Sequence, residues 1–321
     1  MVADRPPHVP VMVEEALRLL QIVPGGTYVD ATAGAGGHAK RIAALLSGGR
    51  LIAVDRDPQA VALTLKRLQD HACATVIKAN YSELQAVLSD LGVTAVDGIL
   101  LDAGVSSVQL DTPERGFSLQ SDGPLDMRMD TTGEVNAAAW LSRASEAEIE
   151  SVLRQYGDVG PAGRIARVIA ARCRDRRMER TSDLVTAVRE ALDFVSADPE
   201  EIRTVFQAVR MAVNEELKHL EQGLRQAAQA LAVRGRLVVI SFHSGEDRMV
   251  KQVFRELTRP AIRLHPDGRI REKTAPAFRL VLSKPLTPGE DEIRANPRAK
   301  SAKMRVIERS GDPGTKQHVS V

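Results

Sequence analysis

Four short apolar runs punctuate the first third of the chain: Tyr28-Val29, Leu51–Val54, Thr75–Ile77 and Ile99–Leu101. Each is too short to be a buried helix. Segments with helical spacing, at about 11–20, 36–46, 58–70 and 82–91, separate them. Strands alternating with helices predict βαβ units and a parallel sheet with helices on its faces. Asp57-Pro58 is a strong helix start, with Asp57 as N-cap and Pro58 at the first helical position. The first run leads into Val29-Asp30-Ala31-Thr32-Ala33-Gly34-Ala35-Gly36-Gly37-His38-Ala39, a glycine-rich turn between a strand and a helix.

The alternation then stops. Residues 110–132 are loop-like, and helical periodicity without strands continues to about 193. Sheet patterning returns at Leu237–Ile240, Phe278–Leu282 and Met304–Ile307. In front of it, Phe206, Val209, Val213, Leu217, Leu220, Leu224 and Leu231 make one apolar stripe and predict one long amphipathic helix. The expected organisation is an α/β core in two parts, 1–109 and 205–310. A mainly helical domain is inserted at 110–204, and a disordered tail runs over 311–321.

Composition narrows the function classes. No apolar run approaches the roughly 20 residues needed to span a bilayer, and the N-terminal decapeptide has no apolar signal region. The expectation is a cytoplasmic protein with no membrane partner; a homodimer is compatible with the chain. Cys73 and Cys173 stand far apart and outside any metal-ligand spacing. Net charge is only +2, but seven arginines against two acids lie between 164 and 180. Arg294, Arg298, Lys300, Lys303 and Arg305 form a second basic cluster. Such patches can track phosphates, or can be solvated helix faces. Asp122, Asp126 and Asp130 fail the calcium-loop spacing, and a loop ordered by Arg115 and Arg128 is the expected reading. No metal is expected.

The loop Gly34–Ala39 fits G-x-G-x-x-[G/A], and Asp55 follows at the end of the second strand, where a carboxylate can accept two ribose hydroxyls. Those features suit NAD and S-adenosylmethionine alike. Asp30, four residues before Gly34, favours the second. A carboxylate there suits a ligand with a cationic amino-acid end and no pyrophosphate. The plainer reading is that Asp30 caps the loop.

A series of motifs recurs in order with these: His8–Val11, Val54–Pro58, Gly98–Asp102 with Gly104–Ser107, Glu114–Ser118, Asp122–Asp130, Phe206–Arg210, Ile240–Ser244 and Asn296–Arg298. With them the chain, from about 8 to 309, resembles the bacterial 16S rRNA cytosine-N4 methyltransferase family, the RsmH/MraW proteins. The resemblance implies a Rossmann-like class I S-adenosylmethionine-dependent methyltransferase with an inserted helical domain. It implies that the acceptor is a cytosine in the decoding region of 16S rRNA, in the small ribosomal subunit. By position it places Gly36, Gly37, His38, Asp55, Tyr81, Asp102 and Gln109 on the donor. Family members often carry Phe in place of Tyr81; either ring can stack on adenine. The family's usual Ser-Leu-Glu-Asp is here Ser244-Gly245-Glu246-Asp247, which removes an apolar contact at a helix start.

Chemistry at an exocyclic amine needs acceptors for its hydrogens and a destination for a proton. The D/N-P-P-Y device of DNA amino-methyltransferases is absent; Asp102-Ala103-Gly104-Val105-Ser106 stands after the fourth strand. Asp102 or backbone carbonyls of that loop could substitute. His243, after the strand at 237–240, is either a base contact or proton relay, or a histidine bonded to its own loop. Methylation at cytosine C5 requires a thiol nucleophile, and neither cysteine follows the fourth or fifth strand. Arg174, Arg176 and Arg177 in the insertion, and Arg298 in the second cluster, are the expected RNA contacts. Trp140 could stack on a flipped base, but a core role is the expectation. Two other classes stay open on the residues alone: an NAD-dependent oxidoreductase, and a non-catalytic RNA-binding ribosome-assembly protein.

Overall fold

The computed structural model describes residues 10–192, 200–264 and 270–311, with side chains outside 261–273. His8, Val9 and the tail from 312 lie outside the described residues. The chain forms two compact units, one of residues 1–104 with 218–321, the other of residues 105–217. The expected insertion, 110–204, falls within the second unit and is shorter at both ends.

The first unit begins with α1 (Val13–Leu20), β1 (Thr27–Asp30), α2 (Gly37–Ala43), β2 (Arg50–Asp55), α3 (Pro58–Leu68), β3 (Ala74–Lys78), α4 (Leu84–Asp90) and β4 (Val96–Asp102). All four expected strands are present. Asp57 caps α3 by accepting from the Gln59 amide at 2.9 Å, with Pro58 in the first turn. The helix expected over 82–91 opens as a 3-10 turn, Tyr81–Glu83, before α4.

The second unit contains α5 (Ser107–Asp111), α6 (Ala137–Arg143), α7 (Glu146–Gly157), α8 (Ala162–Arg174), α9 (Thr181–Leu192) and α10 (Glu200–Val213). Its core gathers Ile149, Leu153, Ile165, Ile169, Leu184, Val205 and Val209, with Trp140 packed half-buried against it. The acidic loop is held by arginines: Arg115 donates to the carbonyls of Arg128 and Met129 at 2.9 and 3.0 Å, and Arg128 grips Asp126 through two bonds. Asp122 pairs with Arg180 at 2.6 Å. Among the described residues no acidic or histidine cluster could hold a metal ion.

The single long helix expected near 206–231 is a correction. It is two helices, α10 and α11 (Glu216–Ala230), and Leu231 already belongs to the next strand. Asn214 breaks the run. Its amide nitrogen donates to the carbonyls of Met127 and Arg210, and its oxygen accepts from the Met129 amide. Glu215 follows with φ 47°, a left-handed conformation that a helix cannot continue through.

The first unit resumes with β5 (Leu231–Ser241), α12 (Ser244–Leu257), β6 (Ala261–Leu264), β7 (Ile270–Thr274), β8 (Phe278–Leu280), α13 (Glu290–Ala295) and β9 (Lys303–Arg309). The strand expected over 278–282 stops at Leu280, and the β6–β7 pair was not foreseen. The main sheet runs β3-β2-β1-β4-β5-β9-β8, with β1 to β5 parallel and β9 antiparallel to β5. The order reverses between β1 and β4, so the crevice beyond their C-terminal ends is the ligand position of an open α/β sheet. Among the described residues no helix is long and apolar enough to cross a membrane.

Candidate functional site

The carboxyl ends of β1, β2 and β4 each carry an aspartate: Asp30, Asp55 and Asp102. Parallel register places Asp30 opposite Leu100 and Ala53, so the three acids stand on one edge of the sheet. They are set in different environments, and those differences define what each can do.

Asp55 is the organiser of the glycine loop. Its Oδ2 accepts from the Gly34 amide at 2.7 Å and its Oδ1 from the Asp57 amide at 2.9 Å. Burial raises its pKa, and these two amides pull it back. Gly34 and Gly36 have φ of +55° and +75°, where a side chain is strained. The glycines are not equivalent in space. A Cβ on Gly36 would press on Thr64 and Arg67, and one on Gly37 would collide with Pro10. At Gly34 the nearest heavy atom is 3.9 Å away. The protein's own packing therefore demands the second and third glycines, and only Gly34 leaves room at its α-carbon for something else.

Asp30 is fully buried. One oxygen accepts from the Thr32 amide at 3.2 Å, and Oδ2 has no hydrogen-bond partner among the described residues. Burial, opposed by the Thr32 amide and more weakly by the Ala39 amide and reinforced by nearby Asp55, pushes its pKa up to about 7. A buried carboxyl with an orphaned oxygen fits a cationic ligand group. The Thr32 and Ala39 amides both act on the Asp30 carboxyl, as the capping reading expects, and Oδ2 makes no hydrogen bond among the described residues.

Asp102 is held by a 2.7 Å bond from its amide to the Thr32 hydroxyl. Its Oδ1 is buried without a partner, and its Oδ2 lies 3.7 Å from Nδ1 of His38. Burial, then the neighbouring Asp30 and Glu246, hold its pKa well above the usual carboxylate range. His38 itself is buried, with Nε2 3.0 Å from the Val11 carbonyl.

Tyr81 opens the 3-10 turn after β3. Asn80 caps that turn, and α11 clamps it: Ser82 bonds His219 at 2.9 Å, and the Gln85 amide bonds Gln226 at 2.9 Å. Gly223 lies beneath the Tyr81 ring, where any Cβ would collide with it. None of His219, Gly223 or Gln226 was foreseen as bearing on the site. Their spacing of four and three puts them on one helix face, but polar residues in an amphipathic helix give no sign of a partner.

His243 caps α12. Its Nδ1 accepts from the Glu246 amide at 3.4 Å, and Nε2 lies 3.1 Å from Oε1 of the same glutamate. Glu246 is buried and also accepts from the Phe242 amide at 2.8 Å. The cap accounts for Nδ1, whereas Nε2 is buried beside Glu246 without a hydrogen-bond partner among the described residues, so the local-bonding reading covers one ring nitrogen and not the other. Gln109 sits in the second unit, buried in a capping box with Ser106, its Oε1 accepting from the Ser106 amide at 3.0 Å.

The two basic clusters also differ. Arg174 ends α8, and Arg176 follows in a turn with φ +56°. Both are exposed and make no ion pair among the described residues, whereas Arg177 pairs with Asp175 at 2.5 Å. In the second cluster Arg294 pairs with Glu290 and Asp291, and Arg305 and Lys303 share Asp247. Arg298 is exposed in the turn Pro297–Ser301.

A parallel sheet in the order 3-2-1-4-5, a glycine loop after β1 and an acid ending β2 define a Rossmann-like nucleoside-cofactor protein, here of the class I methyltransferase kind. The comparisons narrow the class. The model of the MraW methylase family matches residues 5–310, and the chain belongs to that family. It is 46% identical to "Ribosomal RNA small subunit methyltransferase H" of Methylococcus capsulatus over 93% of this chain and 99% of that one. It is 43% identical to the protein of the same name from Heliobacterium modesticaldum, over 94% and 98%. A solved rRNA methylase from Streptococcus thermophilus aligns over 92% of this chain and 93% of its own, with a TM-score of 0.38 and 13% identity, a likeness too low to bear on function.

Proposed function

We propose that this methyltransferase moves a methyl group from S-adenosylmethionine to the exocyclic N4 amine of a cytosine in the decoding region of 16S rRNA. The printed names of its relatives supply the substrate class, ribosomal RNA of the small subunit. The choice of N4 rests on one observation. At the C-terminal edge of the sheet stands a half-buried acid, Asp102, whose buried Oδ1 has no partner, and among the described residues no thiol stands there. Cys73 leads into β3 at the opposite edge, and Cys173 lies on α8 with its pKa raised by burial. Neither suits the nucleophile that C5 methylation requires.

The site fits the donor. The orphaned Oδ2 of Asp30 suits an ammonium, Asp55 keeps acceptor capacity for ribose hydroxyls beyond its two amides, and half-buried Tyr81 presents a ring for adenine. Bound there, S-adenosylmethionine supplies an already activated methyl, so the protein's task is positioning and proton management. The second unit grips RNA, with Arg174 and Arg176 the exposed phosphate contacts and Arg177 and Arg298 secondary to them. The protein works in the cytoplasm, where the small subunit is assembled. Position-resolved masses of rRNA digests from cells with and without the gene test this reading. Loss of one N4-methyl group from a decoding-region cytosine supports it, and an unchanged rRNA mass map contradicts it.

A further inference from the structure

Helix α12 leaves the sheet at the edge that carries Asp102. It begins at Ser244, just beyond the end of β5, and Ile240 of β5 stands opposite Asp102 in the strand register. The helix packs against β5 and β9, with Val250, Val253 and Phe254 buried. Its outer face carries Arg248, Lys251 and Arg255, all exposed. Steps of three and four put them in one row, about 10 Å long at the helical rise. None of the three side chains makes an ion pair or a hydrogen bond among the described residues. The acids of the helix are all engaged elsewhere. Asp247 is taken by Arg305 at 2.7 Å and Lys303 at 3.5 Å on β9. Glu256 accepts from Arg225 at 2.7 Å and from Gln252 at 3.2 Å. Glu246 is buried and accepts from the Phe242 amide. On α7, α11 and α13, by contrast, an arginine is paired with a glutamate one turn earlier: Glu150–Arg154, Glu221–Arg225 and Glu290–Arg294. Unneutralised like charges three and four residues apart destabilise a helix. The macrodipole compensates Arg255 in the last turn and does nothing for Arg248, nearer the positive end. A cation row kept against that repulsion points to an anionic partner.

We propose that Arg248, Lys251 and Arg255 form a phosphate-tracking face on the first unit, which holds the RNA strand flanking the target base. The inference rests on the rRNA reading above and adds to it a contact surface separate from the arginines of the second unit. The charges are repeated along a line, as a chain of phosphodiesters requires and a single small anion does not. They have no protein partner to give up, so binding releases only counterions. The row also starts at the right place. Glu246, in the first turn of α12, has its Oε1 3.7 Å from where a Cβ on Gly104 would stand, in the loop that follows Asp102. RNA with its base at that edge of the sheet has backbone within reach of Arg248. Contacts of this kind fix the position of the strand and do not read its sequence. An anionic membrane would call for apolar side chains beside the charges, and Val250, Val253 and Phe254 are turned into the core instead.

The test replaces all three in the full chain: Arg248→Gln, Lys251→Gln and Arg255→Gln together. Glutamine keeps the helix propensity and removes the mutual repulsion, so the helix is retained. Binding to small ribosomal particles and to protein-free 16S rRNA is measured across a salt series. The expected result is an affinity at least about tenfold lower at low salt for both, with the log–log salt slope flatter by about two, at about 0.7 for each phosphate contact on a single strand. Donor Kd should stay within about twofold of wild type. Arg248→Lys with Arg255→Lys keeps every charge and should keep the wild-type slope. Equal slope and affinity in the wild type and the glutamine variant overturns the row and leaves the rRNA reading standing, since the wild type still binds. A loss on particles with none on protein-free rRNA would assign the row to an acidic ribosomal protein. A loss on vesicles of equal parts phosphatidylcholine and phosphatidylglycerol, with RNA binding intact, would assign it to a membrane. Either result overturns the proposal. A wild-type protein without salt-dependent binding to particles or rRNA fails the rRNA reading, and the row with it.

Discussion

The Gly34 amide donates to Oδ2 of Asp55 at 2.7 Å, tying the loop after β1 to the end of β2 across 21 residues of sequence. The acid thus shapes the loop and, in the proposed complex, receives ribose hydroxyls. Asp55→Ala removes both roles. Charge-assisted hydrogen bonds contribute roughly 1.5–3 kcal/mol each. Donor affinity measured by calorimetry should fall at least about tenfold. A folded variant with wild-type affinity would remove Asp55 from the donor site.

Gly223 and Tyr81 should be energetically coupled. A Cβ on Gly223 collides with the Tyr81 ring, so Gly223→Ala must displace the ring or the helix. Alanine in a helix interior is about 1 kcal/mol better than glycine by propensity, so α11 itself should not suffer. We expect Gly223→Ala to weaken donor binding by about tenfold in the wild-type background and hardly at all in a Tyr81→Ala background. Additive losses in that double-mutant cycle would show that Gly223 does not act through Tyr81.

The buried acid Asp30 predicts a pH dependence with a definite sign. Its pKa, about 7, lies above its ordinary value, so between about pH 4 and 7 it binds more protons folded than unfolded. Its contribution to stability is present in full at low pH, declines as pH rises through that window and is flat above it. A donor ammonium paired with Asp30 requires the carboxylate. Donor affinity should then rise by up to about tenfold per pH unit below 7 and level off above, with proton release seen as a buffer-dependent binding enthalpy. In Asp30→Asn the proton release should vanish. A pH-independent affinity in the wild type would separate Asp30 from the donor.

Much of this architecture was legible in the residues. The four first strands, the Asp57-Pro58 cap and the interruption after β4 follow from local patterns that tertiary context did not override. The misread segment is instructive. Phe206 to Leu231 keeps helical spacing throughout, because α10 and α11 both bury apolar faces. What divides them is Asn214 bonding Met127 and Met129, 87 and 85 residues away, and no window along the sequence contains that information. The site shows the same limit. Asp30, Asp55 and Asp102 were identifiable from strand ends, whereas the facing of His38 toward Asp102, the engagement of His243 by Glu246 and the seat of Tyr81 on Gly223 are long-range or rotamer-level facts. The β6–β7 pair had a local signal that went unread, Ile262-Arg263-Leu264 alternating ahead of the turn residues Pro266-Asp267-Gly268.

Among the arginines, exposure and pairing now rank the candidates. Reversing charge at Arg174 and Arg176, which make no ion pair among the described residues, should weaken binding to small-subunit particles. It should also flatten the salt dependence, by about one unit of log–log slope for each phosphate no longer neutralised. Donor affinity should not change. An unaltered slope would shift attention to the second basic cluster, with exposed Lys300 the first residue to reverse, since Arg294, Lys303 and Arg305 are already committed to acids.

The most direct measurement is the chemical identity of the product. Purified protein is incubated with methyl-labelled S-adenosylmethionine and small ribosomal particles from cells lacking the gene. The rRNA is digested to nucleosides and the label followed by chromatography with mass detection. The account predicts label in N4-methylcytidine from one decoding-region cytosine, retained when Cys73 and Cys173 are both replaced by serine. Label in 5-methylcytidine that disappears in the double serine variant, or no label in cytidine at all, would contradict it.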